Sequence, residues 1–341
     1  MRPTGLRRVP ASVWGGLLAV GLVASITFAV TFGPAEITSG DVWASVLHHL
    51  GIGSSPLSPL RDGIVWELRM PRVITAAAVG AGLALAGAVM QALTRNSLAD
   101  PYLLGLSSGA SLGAVSVLLL GVGLLLPAAA FLGALVALVL TLLIASAGGG
   151  ITPSRTVLAG VAVSSLGAAL TSFIIFWTAT GDSYREILNW LLGSLAGADW
   201  PAVLISVGAL AAVGIPIVIA GRSLDAFAFG DTAAAALGIS VSRTRWLLLV
   251  GTALLTGAMV SVSGSIGFVG LVLPHAVRLV VGSRHRVLLP LSALLGAIFL
   301  IWCDTIARTL FDPRELPVGI ITAVVGGPLF VLLLTRKTTR V

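Results

Sequence analysis

Residues 101–154 read PYLLGLSSGASLGAVSVLLLGVGLLLPAAAFLGALVALVLTLLIASAGGGITPS, 54 consecutive positions without an Asp, Glu, Lys or Arg. A helix needs about 20 apolar residues to cross a hydrocarbon core about 30 Å thick, and charge is heavily penalised there. The stretch has room for two such helices, with a break expected near Gly121-Val122-Gly123 and Pro127. Further charge-free runs cover 9–35, 73–94, 156–181, 200–221, 246–277, 287–303 and 316–335. The chain therefore reads as all-α and as an integral, multi-spanning membrane protein.

Composition agrees with this. Charged residues are 10% of the chain, against about 25% in soluble domains. Hydrophobic residues reach 57% and the mean hydropathy is +1.07. The 41 glycines suit helices packed closely in lipid, where small residues let backbones approach. A net charge of +7 raises nucleic acid as a partner, but the arginines are scattered through short loops and form no basic stripe, so that class is excluded. The single cysteine, Cys303, rules out an intrachain disulfide. The N-terminal pattern of Arg2, Arg7 and Arg8 before an apolar run to Phe32 resembles a signal peptide, yet the run is longer than a secretory core, which is about 7–15 residues. We read it as a retained first helix.

Splitting the runs at Gly, Pro and charge clusters predicts ten spans: 13–33, 71–93, 106–122, 126–147, 155–179, 201–221, 245–264, 267–282, 287–308 and 317–335. The break inside 246–277 is expected near Ser263-Gly264-Ser265. With the N-terminus inside, the inner segments hold 13 of the 20 basic residues, including Arg95, Arg155, Arg222, Arg243, Arg284, Arg286, Arg336, Lys337 and Arg340. They hold three acids, Asp100, Asp225 and Asp231, while nine acids fall outside. Orientation follows Lys/Arg excess in short inner loops, so both termini are expected in the cytoplasm of a bacterial plasma membrane.

We expect residues 1–341 to form one transmembrane domain with two longer connections. In the external one, 34–70, Ser39 or Asp41 is suited to cap an amphipathic helix whose Trp43 sits at headgroup level. In the inner one, 222–244, Asp231 or Thr232 is suited to cap a short alanine helix that ends at Gly238. Such a helix is too short to cross and too small-faced to form a core, so it is expected to press against another protein.

No ATP-binding loop is present, because a P-loop needs a Lys beside its glycines and the only lysine is Lys337. Asp304 and Arg308 stand at i, i+4, and His275 and Arg278 at i, i+3. Intramembrane charges suggest a proton relay, but with a single acid in the membrane interior the reading is a structural pair in which Asp304 neutralises Arg308 or Arg278. The same scarcity of acids argues against a secondary carrier. Adjacent His48 and His49 point to different helix faces and read as interfacial side chains, not metal ligands. Ser107-Ser108 and Ser164-Ser165 have no His and acid at a nucleophile's spacing and read as small polar residues at helix starts and contacts. Arg69 and Arg72 flank Met70-Pro71 at an outer helix mouth, which suits either carboxylate capture or headgroup contact.

The run Leu68-Arg69-Met70-Pro71-Arg72 is followed by Gly87 to Pro101 (GAVMQALTRNSLADP) and Leu104 to Ala110 (LGLSSGA). Leu158 to Ala162, Gly267 to His275 (GFVGLVLPH), His285 to Pro290 and Glu315 to Gly319 come later. This series resembles the iron-siderophore, haem and cobalamin permeases of ABC importers, the FecCD type, from about residue 35 onward; Ser97 departs from the family's usual proline. The resemblance implies a type II importer permease that catalyses no bond chemistry, binds no cofactor or metal and dimerises with itself or a close paralogue. Two cytoplasmic ATPase subunits would hold the ATP and Mg, and an extracytoplasmic binding protein would deliver the cargo. It implies ATPase coupling at Leu224, Gly230, Asp231, Ala236, Leu237 and Gly238, an inner gate near Thr152-Pro153-Ser154, and binding-protein docking at Arg69, Arg72 and Arg308. The expected cargo is a ferric siderophore, with haem or cobalamin as the alternative.

Overall fold

The structure, a computed structural model, describes residues 10–53, 57–147, 152–178, 181–227 and 229–338. Arg2, Arg7, Arg8 and Arg340, counted above on the inner side, lie outside these residues. Helix α1 (Ala11–Thr31) is followed by α2 (Ser39–His49) and by α3 (Pro59–Gly63), which runs through a π-helical segment, Ile64–Arg69, into α4 (Met70–Thr94). A 3-10 turn, Pro101–Leu104, leads to α5 (Leu106–Leu119), α6 (Leu126–Ser146), α7 (Pro153–Thr178) and α8 (Gly181–Leu191). Helix α9 (Trp200–Ala209) continues through a second π segment, Leu210–Gly214, into α10 (Ile215–Ile219). Then come α11 (Gly221–Phe227), α12 (Asp231–Ala236), α13 (Val241–Ser263), α14 (Val269–Val281), α15 (His285–Thr309) and α16 (Val318–Thr338).

Among the described residues seven helical stretches are long and apolar enough to span, and α5, α14 and α16 supply three shorter apolar ones, matching the ten expected positions. Both π segments lie just ahead of a proline, Pro71 or Pro216. A proline inside a helix has no N–H to give and its ring crowds the carbonyl four residues back, so a widened turn lets the helix continue without a break. That is why the second span extends outward to Pro59 where the sequence placed its start at 71.

Helix α4 is the central rod. Of its 25 residues 21 are buried, so it faces protein on all sides, with α9, α13, α14 and α15 around it. Glycine permits this crowding. A Cβ on Gly80 would lie 2.2 Å from the carbonyl oxygen of Gly296 in α15, and one on Gly87 1.9 Å from that of Gly270 in α14. Both contacts are backbone to backbone, so no side-chain rotation would relieve them.

The α13–α14 junction is non-helical, with Gly264 at φ +67° and Phe268 at φ +69°. Backbone that leaves the helix among spans must find its hydrogen bonds within the protein. The Tyr102 hydroxyl donates to the Ile266 carbonyl at 3.0 Å and accepts from the Ile266 N–H at 3.1 Å. Ser107 Oγ meets Ser265 Oγ at 2.7 Å, and the Ser194 N–H reaches the Ser263 carbonyl at 2.9 Å. Ser107 thus has a structural use, as its sequence context suggested.

Gly80→Ala or Gly87→Ala should force α4 away from its neighbour and cost about 1–3 kcal/mol, the usual range for overpacking. Gly16→Ala in α1, where a Cβ meets nothing within 4 Å, should be neutral. Thermal unfolding of the detergent-solubilised protein checks this, and equal stability of the three variants would contradict the central-rod packing.

Candidate functional site

At the N-terminal end of α4 three arginines and two acids form a web of charges. Arg72 grips Asp304 of α15 with a two-pronged contact, Nε to Oδ2 at 2.9 Å and Nη2 to Oδ1 at 2.9 Å. Its remaining nitrogen, Nη1, reaches Glu315 Oε2 at 2.8 Å. Asp304 is only 2% exposed, whereas the Glu315 side chain is 45% exposed, so the chain of charges runs from the interior to the rim. Arg69 donates to the carbonyls of Val30, Thr31 and Ala35 at 2.9–3.1 Å. Arg308 donates to the carbonyl of Ala29 and stands 3.9 Å from Asp304. Two guanidinium groups therefore cap the last turn of α1, which has no basic residue of its own there, and complement the partial negative charge at that helix end.

The expected contact of Asp304 with Arg308 is present, at 3.9 Å, but it is not the shortest one Asp304 makes. Its two-pronged partner is Arg72, 232 positions away in sequence, and Arg308 is a secondary contact. Arg278 goes elsewhere, donating to Gln91 Oε1 at 3.0 Å, while Gln91 Nε2 donates to the Leu271 carbonyl at 3.0 Å. His275 is buried in α14.

Helix α2 is capped by Thr38 in place of Ser39 or Asp41. Thr38 accepts from the Asp41 N–H while the Asp41 carboxylate accepts from the Thr38 N–H, a reciprocal capping box. These hydrogen bonds from Thr38, opposed by slight burial and aided by Arg61, hold the Asp41 carboxyl below the usual range. His49 Nε2 lies 2.8 Å from Asp62 and its ring stacks on Trp66 at 4.1 Å, fixing α2 to the start of the second span. His48 Nδ1 instead faces the Gly53 carbonyl at 3.3 Å. Among the described residues no group of three or more His, Cys, Asp or Glu is placed to hold a metal ion.

At the opposite end, Gly230 at φ +97° takes the cap position of α12, and neither Asp231 nor Thr232 caps it. The Asp231 carboxylate is drawn to two arginines. Arg245 Nη2 approaches both its oxygens at 2.8–2.9 Å, and Arg95, at the end of α4, reaches Oδ1 at 2.9 Å. Partial burial opposes ionisation, but the Arg245 hydrogen bond and charge, with Arg95, hold the Asp231 carboxyl below the usual range. Arg245 also lies over the Phe227 ring, 5.5 Å from its centroid. Leu224 is fully buried and Ala234 anchors α12, leaving Ala235, Ala236, Leu237 and Gly238 facing outward with Phe229, which is 78% exposed. Thr152-Pro153-Ser154 opens α7, where Thr152 accepts from the N–H groups of Arg155 and Thr156.

Gln91, Arg95, Arg245 and Glu315 were not singled out from the sequence. All but Arg245 lie inside the stretches that carry the family resemblance, which is the signal that points to them.

Comparison with known proteins agrees with this architecture. The FecCD transport family matches residues 21–336. An uncharacterised ABC transporter permease of Bacillus subtilis is 42% identical over 93% of this chain and 91% of its own length. The vitamin B12 import system permease of Vibrio cholerae is 42% identical over 87% of this chain and 88% of its own. The cobalamin import system permease of Halobacterium salinarum is 39% identical over 100% of both. Among solved structures, an inward-facing ABC transporter of metal-chelate type superposes with a TM-score of 0.83 at 30% identity, covering 95% of this chain and 99% of its own. These likenesses, on ten apolar helices in the type II importer arrangement, show that the chain belongs to the FecCD transport family as a multi-pass ABC importer permease without catalytic chemistry of its own.

Proposed function

We propose that this permease carries a cobalamin, a bulky metal chelate, across a bacterial plasma membrane by ATP-driven alternating access. The reading rests on the likeness, over the full length of both chains, to a permease named for cobalamin import, supported by the 42% identity to one named for vitamin B12 import. Cobalamin thus moves ahead of the ferric siderophore that the sequence placed first. The positive-inside charge pattern supports placing both termini in the cytoplasm. Among the exposed apolar residues are Leu158, Val161 and Phe173 on α7 and Val324 and Val331 on α16, each more than half exposed. We place a second copy of the chain, or a close paralogue, against them, with the pathway between the copies behind a gate near Thr152-Pro153-Ser154.

Two cytoplasmic ATPase subunits, holding ATP and Mg, would seat the outward face of α12 and Leu237 in a groove. The double clasp on Asp231 makes the short helix rigid enough to push on α4 and α13. At the outer face, an extracytoplasmic binding protein would dock near the arginine web. Arg69 and Arg308 each donate to backbone carbonyls at the end of α1, so they shape the site. Arg72 has one outward-facing partner, Glu315, which a carboxylate of the binding protein can replace.

Reconstituted with its ATPase and binding protein in liposomes, the permease should accumulate cyanocobalamin in an ATP-dependent manner. Saturable uptake of a ferric siderophore with none of cyanocobalamin would restore the siderophore reading. Uptake by the permease alone would favour a secondary carrier.

Glu315→Gln should tighten binding-protein docking by about three- to tenfold, chiefly through the association rate, because a competing carboxylate is removed. Unchanged or weaker docking in a titration at low salt would sink the exchange idea.

For the clasp, the sign follows from a lowered carboxylate pKa: its stabilisation is present above the unfolded-state value and is lost only as pH falls through the folded one. Asp231→Asn should therefore speed amide hydrogen exchange across 221–240 equally at about pH 6 and about pH 8. A defect confined to one of these pH values would assign the effect to another group.

A further inference from the structure

At the basic end of the molecule, α1, α14 and α15 meet in a small apolar cluster separate from the main core, with Val277, Leu288 and Leu291 at its centre. Helix α1 lies along α15 but stands away from the end of α14. Between them is a groove of about 150 Å³ walled by Trp14, Leu18, Val277, Val280, Val281 and Leu291. Its flanks are helices of the membrane-spanning set, where Leu17, Leu279 and Val280 are each more than half exposed, so the groove opens toward hydrocarbon. Trp14 at its end suits the level of the headgroups.

A second cavity of about 710 Å³ adjoins it, with Arg284 and Arg286 in its wall. Val287 joins the two spaces, since it packs on the apolar cluster and also lines the polar cavity. Arg284 and Arg286 are exposed, and neither guanidinium has a hydrogen bond or ion pair among the described residues. The one acid in the cavity wall, Asp225, is engaged: its Oδ1 accepts from the His285 N–H at 2.7 Å and lies 2.8 Å from Nδ1. An apolar slot at membrane depth, ending at two unpaired guanidinium groups, is complementary to one kind of molecule, with a hydrocarbon tail and an anionic head.

We propose that this is a binding site for an anionic phospholipid of the inner leaflet, one acyl chain in the α1–α14–α15 groove and the phosphate between Arg284 and Arg286. Arginine's planar donors match phosphate oxygens, and basic residues at the cytoplasmic boundary attract anionic lipid. The site is independent of the cargo and rests on the cytoplasmic placement of this end proposed above.

The test uses the purified full chain in detergent, with dioleoylphosphatidylglycerol or dioleoylphosphatidylcholine added at equal concentration and bound lipid counted by native mass spectrometry. Phosphatidylglycerol should bind about tenfold more tightly. Arg284→Ala with Arg286→Ala should reduce it to the phosphatidylcholine level, the corresponding pair of lysine substitutions should keep most of the preference, and Val280→Trp should lower binding of both lipids by filling the groove. Thermal unfolding of each variant confirms that it is folded. Equal binding of the two lipids by the unmodified chain, or an undiminished preference in the double alanine variant, would overturn the proposal. So would inorganic phosphate stabilising the chain as much as the lipid does, which would make the basic cavity a free-anion site.

Discussion

Arg72 and Asp304 hold a pair of opposite charges in a place where water cannot satisfy either, and the structure around the N-terminal end of α4 is arranged about them. Removing one member of a buried pair typically costs about 3–5 kcal/mol, because the other is left charged and unmatched. The pair ties α4 to α15 and fixes the height at which the two helices meet. The Gly80–Gly296 contact lies below it, where a backbone can touch a backbone only if the register is kept. Arg308, one turn from Asp304, reaches the end of α1 and so brings a third helix to the same point.

The same rule operates along the length of α4. Gln91 links it to α14 through the Leu271 carbonyl and to Arg278, and Arg95 links its inner end to Asp231. The helix that is most completely buried is thus also the one with polar attachments at both ends. One stiff element joins the surface where we place the binding protein to the surface where we place the ATPase. In the proposed cycle, a push on α12 enters α4 through the charge-assisted Arg95–Asp231 hydrogen bond and α13 through Arg245, a stiffer link than apolar packing of an alanine helix alone would provide.

Much of this was legible in the residues. Long charge-free runs announce spans because lipid penalises charge uniformly, whatever the neighbours, so all ten apolar helices appear where they were expected. The Gly121–Gly123 and Gly264–Ser265 breaks were legible because glycine and a lapse in helical pattern are local signals. The alanine helix and its termination at Gly238 were likewise visible. What failed was partner choice. From spacing alone, Asp304 and Arg308 look like the pair, yet the two-pronged contact goes to Arg72. Asp231 has the residue type of a helix cap, yet two arginines outcompete the backbone for it.

The sequence by itself determined the class of environment, the number of apolar helices and the family, because each depends on composition or on ordered motifs read one residue after another. Tertiary structure alone decided which charges meet, that Arg69 and Arg308 close the end of α1, that α4 is the central rod, and that α1 leaves an open groove beside α14. These depend on distances between segments far apart in sequence, 232 positions for Arg72 and Asp304 and 279 for Arg308 and Ala29. In a low-dielectric interior, the partner of a charged group is whichever opposite charge the packing brings within reach, and nothing in the local sequence encodes that choice.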